Sequence, residues 1–463
     1  MLFSSFEFLY LFLPLTLGLY FAFPRGAKNY VLLVASLVFY GIAAPKFLPL
    51  MLAVSVADWG FGLLVWRWTE LGKPRKANAA VAVAVVSNVA ALAFFKYLDP
   101  ILAALGFEPL GTELPSGISF YTFQAMSYVL DVRRRAARAQ RNSLTFVTYV
   151  SLFPQLVAGP IVRYCEVDEA LEKRTHSLSH VADGLRLFCV GLGKKVLLAN
   201  GAGQMWERMK LLSGREGTTL GAWLGVIFFA FQIYFDFSGY SDMAKGLGRV
   251  FGFEFPDNFR YPYISKSITE FWRRWHITLS SWFREYVYIP LGGNRRGNGR
   301  TYLNLLIVWS LTGIWHGAGL NFLAWGLYFF AVLAAEKAFL GRLIERLPRA
   351  LRHVYALLFI AVGWFIFAAD GISDVPLYFS QMIGIDGQLA NKDALYELMR
   401  NLPFLAVMAV GATPLPRKLF CRFIGRHPRV GEAAKNVCAL ALLILSTCYL
   451  ADSGYNPFLY FRF

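Results

Sequence analysis

The sequence predicts an all-α, polytopic membrane protein: a helix bundle of about 11–12 spans with re-entrant or interfacial helices between them. Three observations carry this expectation. The chain is 463 residues long and 57% hydrophobic, and its mean hydropathy is positive. Apolar runs near the ~20 residues that a span requires recur along it. Aromatic residues make up 17%, which suits interfacial belts and helix packing in lipid. A soluble chain of this length would divide into two or three domains, whereas one membrane domain, residues 1–463, absorbs this one.

The first element, 3–23, is apolar from the start and lacks a basic n-region or a small-residue cleavage site, so it reads as a retained span rather than a signal peptide. Spans at 29–43 and 46–66 follow, and 46–66 ends at a loop, 67–77, holding Arg67, Lys73, Arg75 and Lys76. The next span, 78–97, leads to a loop at 98–115 with Asp99, Glu108 and Glu113 and no Lys or Arg. The span 116–131 then reaches Arg133, Arg134, Arg135, Arg138 and Arg141. Residues 142–160 are apolar but broken by Pro154 and Gly159-Pro160, which fits a re-entrant or interfacial segment. Spans at 182–200 and 220–236 precede a partly polar block, 237–300, that begins on the cytoplasmic side. Spans at 302–315 and 320–337 lead to a third basic loop (Arg342, Arg346, Arg349, Arg352). After 353–369 comes an acid-rich segment, 370–400; spans 402–415 and 434–450 flank a fourth basic loop, Arg417 to Arg429. Alternation of basic and acidic loops obeys the positive-inside rule and places both termini outside the cytoplasm.

The net charge of +17 does not point to nucleic acid, because the basic residues sit in short loops between apolar spans. Cys165, Cys189, Cys421, Cys438 and Cys448 show no CxxC or metal-ligand spacing and read as small apolar fillers. No P-loop or GxGxxG is present, so nucleotide hydrolysis is not expected.

The chemistry concentrates in two pairs, Trp275-His276 and Trp315-His316. A histidine at membrane depth is costly and reads first as a functional group. His316 interrupts an apolar run, Leu305 to Phe330, that holds no Asp, Glu, Lys or Arg, and Gly317-Ala318-Gly319 halts the span behind it. A neutral imidazole there can take a proton from a hydroxyl and pass it to a leaving thiolate; a core histidine bonded to a neighbouring helix is the bland alternative. Upstream, Ser267-Ile268-Thr269-Glu270 reads as a capping box. It opens an amphipathic helix with Phe271, Trp275, Leu279, Trp282 and Phe283 on one face, from which His276 can point inward. By itself His276 is equally compatible with a solvated interfacial group. Asp58, Asp236 and Asp242 read as structural, paired with Lys245, Arg249 or backbone groups. A His/Asp metal site lacks supporting spacing. Basic residues outnumber acids across 260–300. The positive-inside rule accounts for most of that excess, and a surface for the phosphates of coenzyme A is the functional reading, with Arg273, Arg274 and Arg295 as candidates. The aromatic end, Phe458 to Phe463, suits either an interfacial anchor or burial in the bundle.

The blocks Pro115 to Gln124 (PSGISFYTFQ), Phe153 to Pro160 (FPQLVAGP), Phe271 to His276 (FWRRWH), Tyr288 to Arg295 (YIPLGGNR) and Trp315 to Ala318 (WHGA) resemble the membrane-bound O-acyltransferase (MBOAT) family. The likeness is greatest to its bacterial alginate O-acetyltransferase branch, with peptidoglycan and cellulose relatives. It implies a core active-site region at about 115–330 and a tunnel reached by the acyl donor, acetyl-CoA, from the cytoplasm. It implies that His316 matches the family's essential histidine. His276 matches a second active-site position, which is Asn in many eukaryotic members and His in this branch. Phe458-x-Tyr460-x-x-Phe463, within the C-terminal span region 434–463, resembles a motif whose tyrosine is thought to carry the acyl group outward. The chain has no G-D-S block, so the resemblance implies an extracytoplasmic partner of the SGNH hydrolase type that completes transfer to a polysaccharide. The setting implied is the bacterial inner membrane. D-alanyl transfer to teichoic acid and a polysaccharide transporter are the rival readings. The transporter would predict inverted repeats, which the sequence does not display.

Overall fold

The computed structural model describes residues 1–157, 159–385 and 388–459, the side chains of 213–216 and 429 excepted. Helices dominate, and among the described residues the only β-pairing is an isolated parallel bridge between Thr218 and Gln388. Seven helices among these residues are long and apolar enough to cross a membrane: Arg25–Ala43, Pro45–Glu70, Pro74–Ala104, Thr219–Val250, Leu320–Arg346, Arg349–Ala368 and Val430–Asp452. A pair bent by 66°, Lys392–Gly411 with Leu415–Arg426, has the composition of an eighth. The chain is thus an all-α, multi-pass membrane protein.

The chain packs as two compact units, Met1–Phe188 with Tyr240–Pro256, and Cys189–Gly239 with Asp257–Phe463. In the first, Leu48–Glu70 packs on Pro74–Ala104 and on Ile118–Arg134. Asp58 in this unit is buried and accepts a 2.8 Å hydrogen bond from the Asn88 side-chain amide. The 142–160 segment does not cross. Asn142 caps a nine-residue helix, Ser143–Ser151, by accepting from Leu144 and Thr145 N–H. Nine residues rise ~14 Å, about half of a hydrocarbon core. The backbone then breaks at Leu152 and resumes as Phe153–Leu156, with every residue of this turn buried. Freed backbone groups inside the fold find protein partners: Phe153 N–H donates to Ser36 Oγ at 3.1 Å.

In three places the helices depart from the sequence-based expectation. The span placed at 220–236 continues to Val250. Its polar stretch Asp236 to Asp242 does not end it, because 72% of its apolar window is buried in protein rather than facing lipid. The span placed at 182–200 is part of a longer helical run, Leu178–Gly193, a π-helical turn at Lys194–Ala199, then Asn200–Glu216. The amphipathic helix expected after Ser267 is two short helices, Ile268–Trp272 and Ile277–Phe283, separated at His276. His276 has φ +43°, a left-handed conformation that a continuous helix cannot contain.

In the second unit, Gly297–His316 and Leu320–Ala335 form a tight antiparallel pair joined by Gly317 to Gly319. Two glycines set their spacing: a Cβ at Gly313 would lie 2.5 Å from the Phe322 carbonyl oxygen, and one at Gly326 only 2.4 Å from that of Trp309. Small residues at a crossing let two backbones approach closely, as membrane helix pairs commonly do. Gly326→Ala must therefore force these helices apart and lower folded yield and apparent Tm in detergent. Gly299→Ala, where a Cβ meets nothing within 4 Å, should leave both unchanged.

Candidate active site

The site is built on a hook, residues 258–288, whose broken backbone is held by side chains. Ser267 Oγ accepts the Glu270 N–H at 3.0 Å, as a capping residue should. The reciprocal half of the expected box differs: the Glu270 carboxylate accepts from Lys266 N–H, not from that of Ser267. The carboxylate of Glu336 completes the cap. It accepts from Ile268 N–H (2.7 Å), Thr269 N–H (2.8 Å), Thr269 Oγ1 (2.6 Å) and the Tyr355 hydroxyl (3.0 Å). Glu336 starts a π-helical turn directly after Leu320–Ala335, so the helix that packs on His316's own helix also fixes the start of the hook.

The break at His276 is fixed by Asn258, 2% exposed. The Asn258 carbonyl accepts the Ile277 N–H at 3.0 Å. Its Oδ1 gathers Thr278 Oγ1 (3.0 Å), Thr278 N–H (3.4 Å) and His276 Nδ1 (3.0 Å). A main-chain N–H can only donate, so the amide atom it meets is the oxygen. Nδ1 then carries the imidazole proton and Nε2 is the ring's acceptor nitrogen. Complete burial pushes the His276 imidazole well below its ordinary value, so the ring is neutral at pH 7.

His316 ends its helix, 5% exposed. Edge-on aromatic contacts enclose it: Trp315 at 4.8 Å between centroids, Trp325 at 5.1 Å and Phe367 at 5.2 Å. His276 meets Phe237 edge-on at 4.7 Å and lies 6.2 Å from the Trp315 ring. Both histidines line a single cavity of about 270 Å³. Trp272, Trp275 and Trp309 supply apolar wall, and Thr269, Arg273, Ser280, Arg284, Tyr288 and Thr312 supply polar atoms. A base in a small aromatic chamber works in a low dielectric, where charge developing on a reacting carbonyl responds strongly to nearby polar groups.

The arginines separate. Arg273 lines the cavity. Arg274 is turned away, bonded to Glu270 at 2.8 Å and to the Arg260 carbonyl at 3.0 Å, where it braces the hook. Arg295 lies in the exposed turn that follows Gly292 and does not reach the cavity wall. Arg284, which the sequence did not single out, does reach it. Tyr460 lies outside the described residues. The chain leading to it is buried: the Leu459 N–H donates to Asp236 Oδ2 at 2.9 Å, one residue before the Phe237 that packs on His276. Asp236 thus pairs with Lys195 (2.9 Å) and a backbone N–H; of the expected partners, Lys245, Arg249 or backbone groups, it meets the last, with Lys195 as its cation.

Residues 110–374 match the profile of the membrane-bound O-acyltransferase family. The chain belongs to that family. It is accordingly a membrane O-acyltransferase, and the cavity holding both histidines falls inside the matched region. A probable alginate O-acetylase of Azotobacter vinelandii is 37% identical over the whole of both chains. A peptidoglycan O-acetyltransferase of Helicobacter pylori is 32% identical over 100% of this chain and 98% of its own. A teichoic acid D-alanyltransferase of Bacillus subtilis is 28% identical over 48% of this chain and 59% of its own.

Asn258 and Glu336 were invisible to motif reading because each acts on backbone groups remote in sequence. Glu336→Ala would leave the Ile268 and Thr269 N–H groups buried without their acceptor. Each such loss costs ~1–3 kcal/mol. Apparent Tm in detergent should fall by several degrees, and Glu336→Gln, which keeps one acceptor oxygen, should fall less.

Proposed function

We propose that this acyltransferase moves an acetyl group from a thioester donor, acetyl-CoA, to a hydroxyl, as the membrane step in O-acetylation of an exported or cell-surface polysaccharide. The observation that carries the reading is the convergence of His276 and His316 on one aromatic cavity whose wall includes Arg273 and Arg284. Full-length similarity to alginate and peptidoglycan O-acetylating enzymes supports acetyl as the group moved. The D-alanyl relatives match under half of the chain, which favours the acetyl branch over the teichoic-acid reading.

In the proposed reaction, His316 accepts the proton of an attacking hydroxyl, whose oxygen bonds to the thioester carbonyl carbon. The carbon–sulfur bond breaks, and the proton passes from the imidazolium to the departing thiolate. His276, held by Asn258, assists by polarising the reacting groups through its ring. The hydroxyl proposed is that of Tyr460. A tyrosine of pKa ~10 needs a neighbouring base near neutrality. The acetyl-tyrosine ester then passes its acyl group to a nucleophile of an extracytoplasmic SGNH-type partner; this step restores the tyrosine hydroxyl, and the partner acetylates the glycan. Arg273 and Arg284 take the anionic phosphates of the donor from the cytoplasmic side; the Arg274–Glu270 ion pair and the absence of Arg295 from the cavity wall favour these two over Arg274 and Arg295.

The decisive measurement is ester-linked acetate on surface glycans from cells carrying wild-type protein, His316→Ala, His276→Asn or Tyr460→Phe. His316→Ala should lose at least ~100-fold, the usual scale of a general base; unchanged acetate in that variant would sink the mechanism. Released alanine in place of acetate would instead favour the teichoic-acid reading. Arg273→Ala and Arg284→Ala should each raise the donor KM about tenfold with kcat held, the signature of ground-state binding. Asn258→Asp places a carboxylate beside Nδ1 and favours the imidazolium. The acid limb of its pH–kcat/KM profile should move to higher pH relative to wild type.

A further inference from the structure

Outside the histidine cavity, a buried polar cluster in the second unit surrounds Lys195 and Asp236. Their charged ends lie 2.9 Å apart, and each side chain is 3% exposed. Lys195 sits in the π-helical turn Lys194–Ala199, a widening of the helix that often marks a functional position. Buried ion pairs contribute little to stability, since desolvation offsets their attraction, so one buried against a spanning helix calls for a separate reason.

The reason lies in how the remaining hydrogen-bonding capacity is used. The ammonium of Lys195 donates hydrogen bonds to Asn200 Oδ1 (2.8 Å) and to the carbonyl of Pro457, while its contact with Asp236 Oδ1 is an ion pair. The second oxygen of Asp236 takes the Leu459 N–H. Each charge therefore directs one bond to the main chain of the C-terminal segment. Flanking contacts follow the same line: Asn200 Nδ2 to Asn456 Oδ1 at 3.3 Å, and Gln204 Nε2 to Ser453 Oγ at 3.4 Å. Gly203 lets the segment lie close, since a Cβ there would stand 2.8 Å from the Tyr455 hydroxyl. Phe458 and Leu459 are buried beyond it, 5% and 6% exposed.

We propose that the Lys195–Asp236 pair is a receptor for the segment Ser453–Leu459, which docks the chain end and so positions residue 460 for acyl transfer. The positioning half rests on the reading of Tyr460 as the acyl carrier. Lys195 and Asp236 are positioning residues, acting through the main chain of 457 and 459 rather than on the substrate. The pair itself reads backbone groups, and the buried Leu459 side chain adds apolar contact with the core.

The test uses the full-length protein in detergent. Lys195→Met with Asp236→Leu removes both charges at once and leaves neither buried alone. Hydrogen–deuterium exchange should accelerate at least tenfold in peptides covering 453–459. Peptides from the Gly297–His316 helix should keep wild-type rates, and Lys435→Met, at an ion pair on the C-terminal helix, should change nothing. Glycan acetate should fall at least tenfold in the double variant. Leu459→Pro deletes the N–H that Asp236 accepts; it should lower Tm in the wild-type background and have little further effect in the double variant, a non-additive pair. Unchanged exchange at 453–459, or additive Tm effects, would overturn the docking. Accelerated exchange with normal acetate would overturn the positioning role when Tyr460→Phe abolishes acetate. If Tyr460→Phe also acetylates normally, the carrier reading is what has failed, and the positioning claim falls with it.

Discussion

Backbone that leaves regular helix inside a membrane bundle has no water to bond, so each freed N–H and C=O must find a protein partner. That constraint shapes the site. The two histidines meet in one chamber where the chain carrying His276 stops being a helix, and the stop is made tolerable by Asn258 and Glu336. Glu336 satisfies the N–H groups that a five-residue helix would otherwise leave bare. Asn258 satisfies the turn at Ile277 and Thr278 and, with the same oxygen, fixes which nitrogen of His276 holds the proton. The glycine crossing at Gly313 and Gly326 sets where the other histidine stands.

The same logic governs a second place in the unit. At Lys195 and Asp236 a charge pair is met in part by main-chain groups of the C-terminal segment, while at Glu336 a carboxylate is met by main-chain groups of the hook. In both places an ionisable side chain on one element organises irregular backbone from another. Polar residues inside the bundle thus act as sockets for chain segments that cannot supply their own hydrogen bonds. Arg274 does similar work at the surface, and its guanidinium is committed to Glu270 and the Arg260 carbonyl.

Much of this was legible in the sequence. Span lengths and loop charges gave the helical membrane class, and the Trp-His pairs gave the two histidines that share the cavity. The Gly317–Gly319 stop and the interrupted 142–160 segment were read from proline and glycine alone. What escaped was tertiary. The apolar stripe at Phe271, Trp275 and Leu279 has helical spacing, yet the chain breaks within it, because periodicity records which residues are buried and not whether the backbone between them is continuous. The span ending placed at residue 236 failed for a related reason: polar residues mark a helix end only when they would otherwise face lipid, and Asp236 faces Lys195. Arg284 and Arg274 could not be ranked by spacing, since one lines the cavity and the other is held away from it by Glu270.

The left-handed backbone at His276 narrows the alphabet available to evolution there. Outside glycine, that conformation is tolerated best by asparagine, aspartate and histidine. Of these, aspartate would bring a charge into a buried aromatic chamber, and glycine would bring no polar atom at all. Histidine and asparagine remain, the two residue types that the family resemblance associates with this position. The torsion angles of one peptide unit can therefore preselect the chemistry, so that drift at this position is channelled between two polar side chains before any selection on catalysis begins.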